Sequence, residues 1–345
     1  MIRFGVAGTG RITEWVLTGA AFEPRFKAVA VCSRQEHTAF AFIRRHPEWF
    51  APDTRAFDSI EAMAARPDID AIYIGTPNTT HFAYAMAAIR AGKHVLCEKP
   101  LATSEAEVSA LMTAAREKGV LLMEAMVSTL QPAMLAAAAA LPEIGPLRHI
   151  SASFLQYSSK YENLRRGILA SAVDPAMGGG ALEDIGIYTI FPLVALFGAP
   201  DRVDGAQMLM IPTPNGPIDM HGTAHLHCPG TDGMGFTADL SWSKICDSFA
   251  PTEFCGEGGN ILLDSIHIAR RSEIVPHGTP SSGRGERPSG NILHGEKSLD
   301  AYFYEWREFI DCIEGGRLES GVNSLETSLI TRRVMDKISG CACRG

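Results

Sequence analysis

Two polar side chains, Asp184 and Tyr188, lie four residues apart in the otherwise apolar stretch GGGALEDIGIYTIF at residues 178–191. If Leu182 to Phe197 forms a helix, both side chains leave one face about a turn apart. A phenol can pass a proton to or from a substrate oxygen, and a carboxylate can orient a substrate hydroxyl. The alternative is structural: an acid favoured at a helix start and a core tyrosine with a satisfied hydroxyl.

A lysine stands at the end of an apolar run in CEKP, residues 97–100. If this run is the fifth strand of a parallel sheet, Lys99 lies at the edge where ligands bind. Its ammonium would there lower the pKa of a nearby phenol, while Glu98 would anchor the loop. An exposed turn is the alternative.

A glycine-rich loop follows the first apolar run in GVAGTGRIT, residues 5–13. Gly8 would permit a tight turn, and Gly10 would let the backbone approach a dinucleotide pyrophosphate at the helix N-terminus. Thr13 stands where the motif has its third glycine. The loop residues expected to bind the cofactor are Gly8, Thr9, Gly10, Arg11 and Ile12. A glycine turn without a ligand is the alternative.

The second apolar run ends in Cys32, Ser33 and Arg34 rather than in an acid. An acid at this point would bind the ribose hydroxyls of NAD and repel the extra phosphate of NADP. A hydroxyl beside a guanidinium suits a phosphate, so the sequence favours NADP, with NAD possible. Alternatively, Arg34 is solvated and Glu36 binds the ribose.

Further cofactor contacts are expected from GTPNTTH, residues 75–81, which follows the fourth strand at the same sheet edge. The candidates there are Thr76, Pro77, Asn78 and His81, joined by Glu98 and Lys99. Asn78 could equally belong to the N-cap region of the next helix, and His81 is more typical of a structural helix-start residue.

Strand-like runs alternate with helical patterns through the first third of the chain, which predicts a parallel doubly wound sheet. From about Leu147, longer runs between Gly, Pro and Asn turns predict an open, mainly antiparallel sheet, closed by two helices near the C-terminus. We therefore predict an α/β fold with a dinucleotide-binding Rossmann domain at 1–124. An α+β domain for substrate binding and oligomerisation would occupy 125–345. The Gly- and Ser-rich segment 277–291 is typical of a mobile surface loop.

The composition is that of a globular protein: 345 residues, 46% hydrophobic and 20% charged, enough for two domains. A formal net charge of -8 without a basic run argues against a nucleic-acid surface and favours a small-molecule partner. Neither a signal peptide nor a membrane anchor is visible, so we expect a cytoplasmic protein.

No metal site is expected. The eight cysteines include no CxxC pair and are interpreted as reduced thiols, and Cys341 with Cys343 would still lack two metal ligands. His221, His225 and His227 could align on one face of a strand, but no carboxylate partner is obvious.

The segments GVAGTGRIT, TPNTTH, EKP and GGGALEDIGIY together resemble the Gfo/Idh/MocA family of glucose-fructose oxidoreductase and inositol dehydrogenase. The resemblance runs in order over nearly the whole chain. It implies that Lys99 is the catalytic lysine and that the following Pro100 is cis. It also implies that Asp184 binds substrate and that Tyr188 transfers the proton. Oligomers in the family form through the C-terminal sheet, which implies a homodimer or homotetramer here.

Many relatives have histidine where Tyr188 stands, so the tyrosine resembles the branch of dimeric dihydrodiol dehydrogenase and NADP-dependent D-xylose dehydrogenase. One segment departs from that branch. After MEA, its members usually have an aromatic residue and an arginine before the proline, whereas residues 126–132 read MVSTLQP. Because this segment borders the substrate pocket in relatives, the departure removes two substrate contacts.

These motifs predict an NADP-dependent dehydrogenase or reductase acting on a CH-OH group of a sugar, polyol or vicinal diol, or on the matching oxo compound. Two alternatives stay open: a dinucleotide-dependent glycoside hydrolase of the same fold, and a non-catalytic dinucleotide-binding regulator. A regulator would need only the Gly8 and Gly10 loop, without Lys99, Asp184 and Tyr188.

Overall fold

The computed structural model describes residues 1–281, 283, 287–295 and 299–344. The chain forms two compact units, residues 1–127 with 299–329, and residues 128–298 with 330–345. The predicted division at residue 124 follows chain order, whereas the first unit also takes in a segment from near the C-terminus. The roles assigned to 1–124 and 125–345 stay predictions. The predicted loop 277–291 includes residues outside the described ranges.

A six-stranded, all-parallel sheet forms the centre of the first unit, in the order β3-β2-β1-β4-β5-β6. Its strands are β1 (Ile2–Ala7), β2 (Phe26–Cys32), β3 (Phe50–Phe57), β4 (Ala71–Ile74), β5 (His94–Glu98) and β6 (Leu122–Ala125). The strand order reverses between β1 and β4, which is where such sheets bind ligands at their carboxyl ends. This topology confirms the predicted doubly wound Rossmann sheet.

Helices complete the first unit. They are α1 (Arg11–Ala20), α2 (Glu36–Arg45), α3 (Ile60–Ala64), α4 (Asn78–Arg90), α5 (Glu105–Lys118) and, from the C-terminal segment, α9 (Phe303–Glu314). Trp306 of α9 is fully buried, and its indole N–H donates to the Val16 carbonyl oxygen at 2.8 Å. Its ring meets Phe4 edge-on at 5.1 Å between ring centroids. Trp306 therefore belongs to the core of this unit.

The second unit contains a nine-stranded sheet in the order β14-β13-β12-β11-β7-β10-β9-β8-β15. Its strands are β7 (Leu147–Leu155), β8 (Arg202–Ile211), β9 (Ile218–Cys228), β10 (Phe236–Ser243), β11 (Thr252–Gly256), β12 (Gly259–Leu263), β13 (Ser272–Pro276), β14 (Asn291–His294) and β15 (Cys343–Arg344). The β7/β10 and β8/β15 pairs are parallel and the other pairs are antiparallel. The mainly antiparallel sheet is thereby confirmed.

The helices of the second unit are α6 (Pro132–Ala140), α7 (Ser159–Arg165), α8 (Ile187–Phe197) and α10 (Leu325–Cys341), whose first turn belongs to the first unit. Of these, α6 packs against β12, β13 and β14, and α8 packs against β7 and β10. Alternate residues of β10, from Phe236 to Trp242, are buried, as the two-residue period of a strand requires. Among the described residues, no helix combines the length and the hydropathy needed to span a bilayer.

Candidate active site

The loop between β1 and α1 has the geometry of a dinucleotide-binding turn. Gly8 has a φ of 108°, and a Cβ there would overlap the carbonyl oxygen of Gly75 and lie 2.7 Å from its carbonyl carbon. At Gly10 an added Cβ would meet no atom within 4 Å. Open space thus lies before the N-terminus of α1, where no described side chain caps the helix. A pyrophosphate fits this place, because the first helical amides point toward it.

The ends of β1 and β2 bring two hydroxyl groups together. The side-chain oxygens of Thr9 and Ser33 are 3.4 Å apart, and the Ser33 N–H donates to the Phe57 carbonyl oxygen at 3.0 Å. Arg34 follows and is exposed, as is Arg11 at the start of α1. Hydroxyls beside guanidinium groups are suitable donors for a phosphate monoester.

His81 connects the loop after β4 to the turn that follows Lys99. Its Nδ1 lies 2.8 Å from the Pro100 carbonyl oxygen, and its Nε2 lies 2.9 Å from the Thr76 carbonyl oxygen. The ring is fully buried, and burial lowers its pKa, so the neutral ring donates to one of the two carbonyls. His81 therefore holds the two loops in place, as expected for a structural residue. The Lys99–Pro100 bond is cis, as the resemblance implied.

The Lys99 turn rests on buried carboxyl groups. Tyr73 of β4 donates its hydroxyl to Glu98 Oε1 at 3.0 Å, and the Leu101 N–H donates to Glu124 of β6 at 2.9 Å. Burial raises the pKa of Glu98 to about 7, against the opposing effect of the Lys99 charge. Burial also raises the pKa of Glu305 of α9 well above its usual range, and the charge of Glu98 adds to this. Glu98 thus anchors the loop from inside the unit, and Lys99 itself is 8% exposed.

Asp184 and Tyr188 lie at the junction of two helical forms. The predicted helix is present, but residues Leu182–Gly186 form a π-helical turn before α8 begins at Ile187. The first turn is therefore wider than the α-helix predicted from residue 182, and such turns are frequent at functional sites. Asp184 lies in this π-turn, and Tyr188 lies in the first turn of α8. The apolar residues between and after them are buried, as the pattern indicated.

Two aromatic rings surround Tyr188, which is 6% exposed. Phe154 of β7 meets its ring edge-on at 5.6 Å between centroids, and His267 lies at 4.3 Å with an interplanar angle of 63°. His267 also stacks on Phe154 at 4.6 Å. This packing fixes the ring plane of Tyr188, so the direction of its hydroxyl is set by the core of the second unit.

Three consecutive residues of the π-turn are each held by a different element. The Leu182 N–H donates to Asp219 Oδ2 of β9 at 2.7 Å. Glu183 pairs with Arg332 of α10 at 2.8 Å, and Asp184 pairs with Lys244, the residue after β10. Burial raises the pKa of Asp219 to about 6, although the Leu182 hydrogen bond opposes this.

Two further predictions concern the segment 126–132 and the histidines of β9. Residues Val127–Gln131 are all buried. Within the described ranges, no three His, Cys, Asp or Glu side chains are grouped so that they could hold a metal ion. His225 instead pairs with Asp239, and His227 with Asp201 at 3.0 Å.

Family models match most of the chain. The model described as an oxidoreductase family with an NAD-binding Rossmann fold matches residues 2–126, and the GFO/IDH/MocA C-terminal domain model matches residues 134–262. The chain belongs to the Gfo/Idh/MocA family. Membership confirms the resemblance read from the motifs, and with it an NAD(P)-dependent oxidoreductase.

Known relatives and structures extend over nearly the full length. The chain is 39% identical over 337 residues to the scyllo-inositol 2-dehydrogenase (NADP(+)) of Bacillus subtilis, covering 98% of this chain and 96% of that protein. It is 36% identical to the trans-1,2-dihydrobenzene-1,2-diol dehydrogenase of Oryctolagus cuniculus, covering 90% and 89%. A crystal structure of KijD10, a 3-ketoreductase from Actinomadura kijaniata in complex with NADP and TDP-benzene, superposes with a TM-score of 0.81 at 26% identity, covering 99% and 98%.

In each unit, several residues beside the predicted site residues were not found from the sequence. They are Lys244, Asp219, Arg332, Phe154 and His267 in the second unit, and Glu305 in the first. A lysine directly after an alternating apolar strand, as in LSWSK, is the one local signal that could have drawn attention to Lys244. The others become visible only through packing.

Proposed function

We propose that this protein is an NADP-dependent dehydrogenase or reductase acting on a CH-OH group of a sugar, polyol or vicinal diol, or on the matching carbonyl. One observation carries the proposal. The Asp184 carboxylate is held by an ion pair, and four residues later the ring of Tyr188 is held by aromatic packing. The names of the relatives support the substrate class, since they include an inositol dehydrogenase and a dihydrodiol dehydrogenase.

In this proposal, Tyr188 gives a proton to the substrate oxygen in reduction and takes it in oxidation. Lys99 supplies a positive charge that stabilises the phenolate form, and Asp184 accepts a hydrogen bond from a substrate hydroxyl. Bound nicotinamide supplies or accepts the hydride. Two sets of contacts support this division of roles, because they act without substrate: Lys244 holds the Asp184 carboxylate, and Phe154 and His267 pack against the Tyr188 ring.

Selection of NADP over NAD is assigned to Ser33 and Arg34, with Thr9 adding a second hydroxyl. The 3.4 Å separation of the Thr9 and Ser33 oxygens supports a shared phosphate, because one anionic oxygen can accept from both. The relative from Bacillus subtilis carries NADP(+) in its name, and the KijD10 crystal contains NADP. The remaining cofactor residues are those predicted from the loops after β1 and β4 and from Glu98 and Lys99 at the end of β5.

A cytoplasmic homodimer or homotetramer formed through the nine-stranded sheet is part of the proposal. The described cysteines are free thiols, which is typical of a reducing compartment. Alternate side chains of β9 and β10 are exposed or partly exposed, and Leu209 of β8 is 42% exposed, which suits an isologous contact between copies. Light scattering of the purified protein measures the assembly, and a monomer at micromolar concentration would contradict it.

The test is a panel of inositols, other polyols, aldoses and diols, with their oxo forms, assayed by NADPH absorbance. Turnover with at least one of them, faster with NADP(H) than with NAD(H), is expected. Cleavage of a glycoside without net change in NADPH absorbance would support the hydrolase alternative instead. Tight NADPH binding with no turnover on any compound would support a regulator.

A further inference from the structure

Lys244 is a buried cation whose backbone is fixed on both sides. Its side chain is 4% exposed. Its N–H donates to the Met220 carbonyl oxygen at 2.8 Å, and its own carbonyl oxygen accepts from the Ser158 N–H at 2.9 Å. Two neighbouring segments therefore fix the backbone of Lys244 at the end of β10, and its side chain extends from there to Asp184.

The partner of Lys244 lies at a more accessible place. The Asp184 side chain keeps 32% of its surface exposed while one of its oxygens, Oδ2, pairs with the ammonium. Removing a cation from water costs several kcal/mol unless a partner compensates it, so a lysine buried beside one carboxylate depends on that carboxylate being ionised. The converse also holds, because the ammonium favours the charged form of the acid.

Two other contacts also hold the π-turn that contains Asp184. Asp219 accepts from the Leu182 N–H, and Arg332 pairs with Glu183 at 2.8 Å. Directly before Asp184, the turn is thus held by two contacts that do not involve Lys244. A purely structural role for Lys244 would add a third anchor to a turn that has two, whereas its ammonium pairs directly with the Asp184 carboxylate.

We propose that Lys244 is a positioning residue for substrate binding, which keeps Asp184 ionised and oriented to accept a hydrogen bond from a substrate hydroxyl. This inference rests on the proposed function, in which Asp184 binds substrate. Charged or titratable side chains on the turn and on the elements packed against it also include Glu183, Tyr188, Asp219, His221 and Arg332. Their titrations must be separated from that of Asp184 in the test.

The test compares Lys244→Met, which removes the charge at similar volume, with Lys244→Arg, which keeps it. For K244M we expect KM for the best substrate to rise about tenfold or more, with a smaller fall in kcat, because the oriented acceptor is lost in the ground state. The acidic limb of kcat/KM should move to higher pH by about one unit or more. K244R should have a KM much closer to that of the wild type, and the acidic limb of its kcat/KM profile should stay near the wild-type pH.

Arg332→Met is the matched control, since it removes the neighbouring ion pair from the same turn. It should lower stability without moving the acidic limb of the pH profile. A folded K244M with wild-type KM and an unmoved limb would overturn the proposal. If K244M folds poorly, the stability of the double variant Asp184→Asn with Lys244→Met is compared with that of D184N alone. The double variant should be no less stable than D184N alone if the two charges act as a pair, and a large further loss would overturn the proposal.

A measurement that needs no enzymatic turnover tests the role of Lys244 separately from the proposed function. The Asp184 carboxyl can be followed by NMR of aspartate labelled with 13C at the side-chain carboxyl, and assigned with Asp184→Asn. Its titration midpoint should rise in K244M and stay near wild type in R332M. If no substrate in the panel is turned over, the proposed function fails, whereas an unchanged midpoint in K244M overturns the role of Lys244.

Discussion

Gly8 and Gly10 lie two residues apart in the cofactor loop, and the structure predicts opposite consequences for an alanine at each. Gly8→Ala should destabilise the protein before any cofactor is added. Its φ of 108° is a strained region for an L-residue, which costs about 1–3 kcal/mol. The new Cβ would lie 2.7 Å from the Gly75 carbonyl carbon, and relieving that overlap by a backbone shift costs about 1–3 kcal/mol more.

The sum, about 2–6 kcal/mol, is a large part of the 5–15 kcal/mol free energy of unfolding of an ordinary domain. Gly10→Ala should leave that free energy nearly unchanged, since its φ is -83° and nothing lies within 4 Å of the added Cβ. It should instead weaken NADPH binding, because the methyl group occupies space where the pyrophosphate approaches. Urea unfolding of the cofactor-free variants and fluorescence titration with NADPH measure both. A G8A protein as stable as wild type, or a G10A protein with unaltered NADPH affinity, would refute this reading of the loop.

Two other predictions concern charge. Arg34→Ala should weaken NADPH binding by about 10- to 100-fold, because it removes one charge-assisted hydrogen bond. NADH binding should be unchanged. An equal loss of affinity for both cofactors would show that Arg34 does not contact the extra phosphate. Asp219→Asn should change how stability depends on pH. The pKa of Asp219 is raised from 3.8 to about 6, so the folded protein holds this proton more tightly than the unfolded chain. The resulting stabilisation is fully present below 3.8 and is lost as the pH rises through about 6. In urea unfolding, the stability of wild type relative to D219N should therefore fall over this range, and a constant difference would contradict the assignment.

The backbone geometry of the glycine loop and of the Lys99 turn was predictable because its determinants are local. A glycine at a positive φ between a strand and a helix, and a lysine at a strand end, are set by a few neighbouring residues and by the edge at which parallel strands end. The strand β3 was harder to predict, since its sequence FAPDTRAF alternates poorly and includes a proline and charged residues. It forms because β2 offers it a parallel partner.

Contacts between distant segments could not be read from the pattern. Lys244 is 60 residues from Asp184, and Arg332 is 149 residues from Glu183, so neither pair has a spacing that a helix or strand period would reveal. The π-turn could not be predicted for the same reason. Its residues fit an α-helical pattern, and its anchors from β9, α10 and the end of β10 become apparent only in the folded unit.

The central claim is that the Tyr188 hydroxyl transfers the proton. Tyr188→Phe keeps the ring that packs on Phe154 and His267, so fold and NADPH affinity should be unchanged. The rate of NADPH formation or consumption with the best substrate, measured in a single turnover, should fall by about 10²- to 10⁴-fold. A variant that keeps the wild-type single-turnover rate would contradict the account.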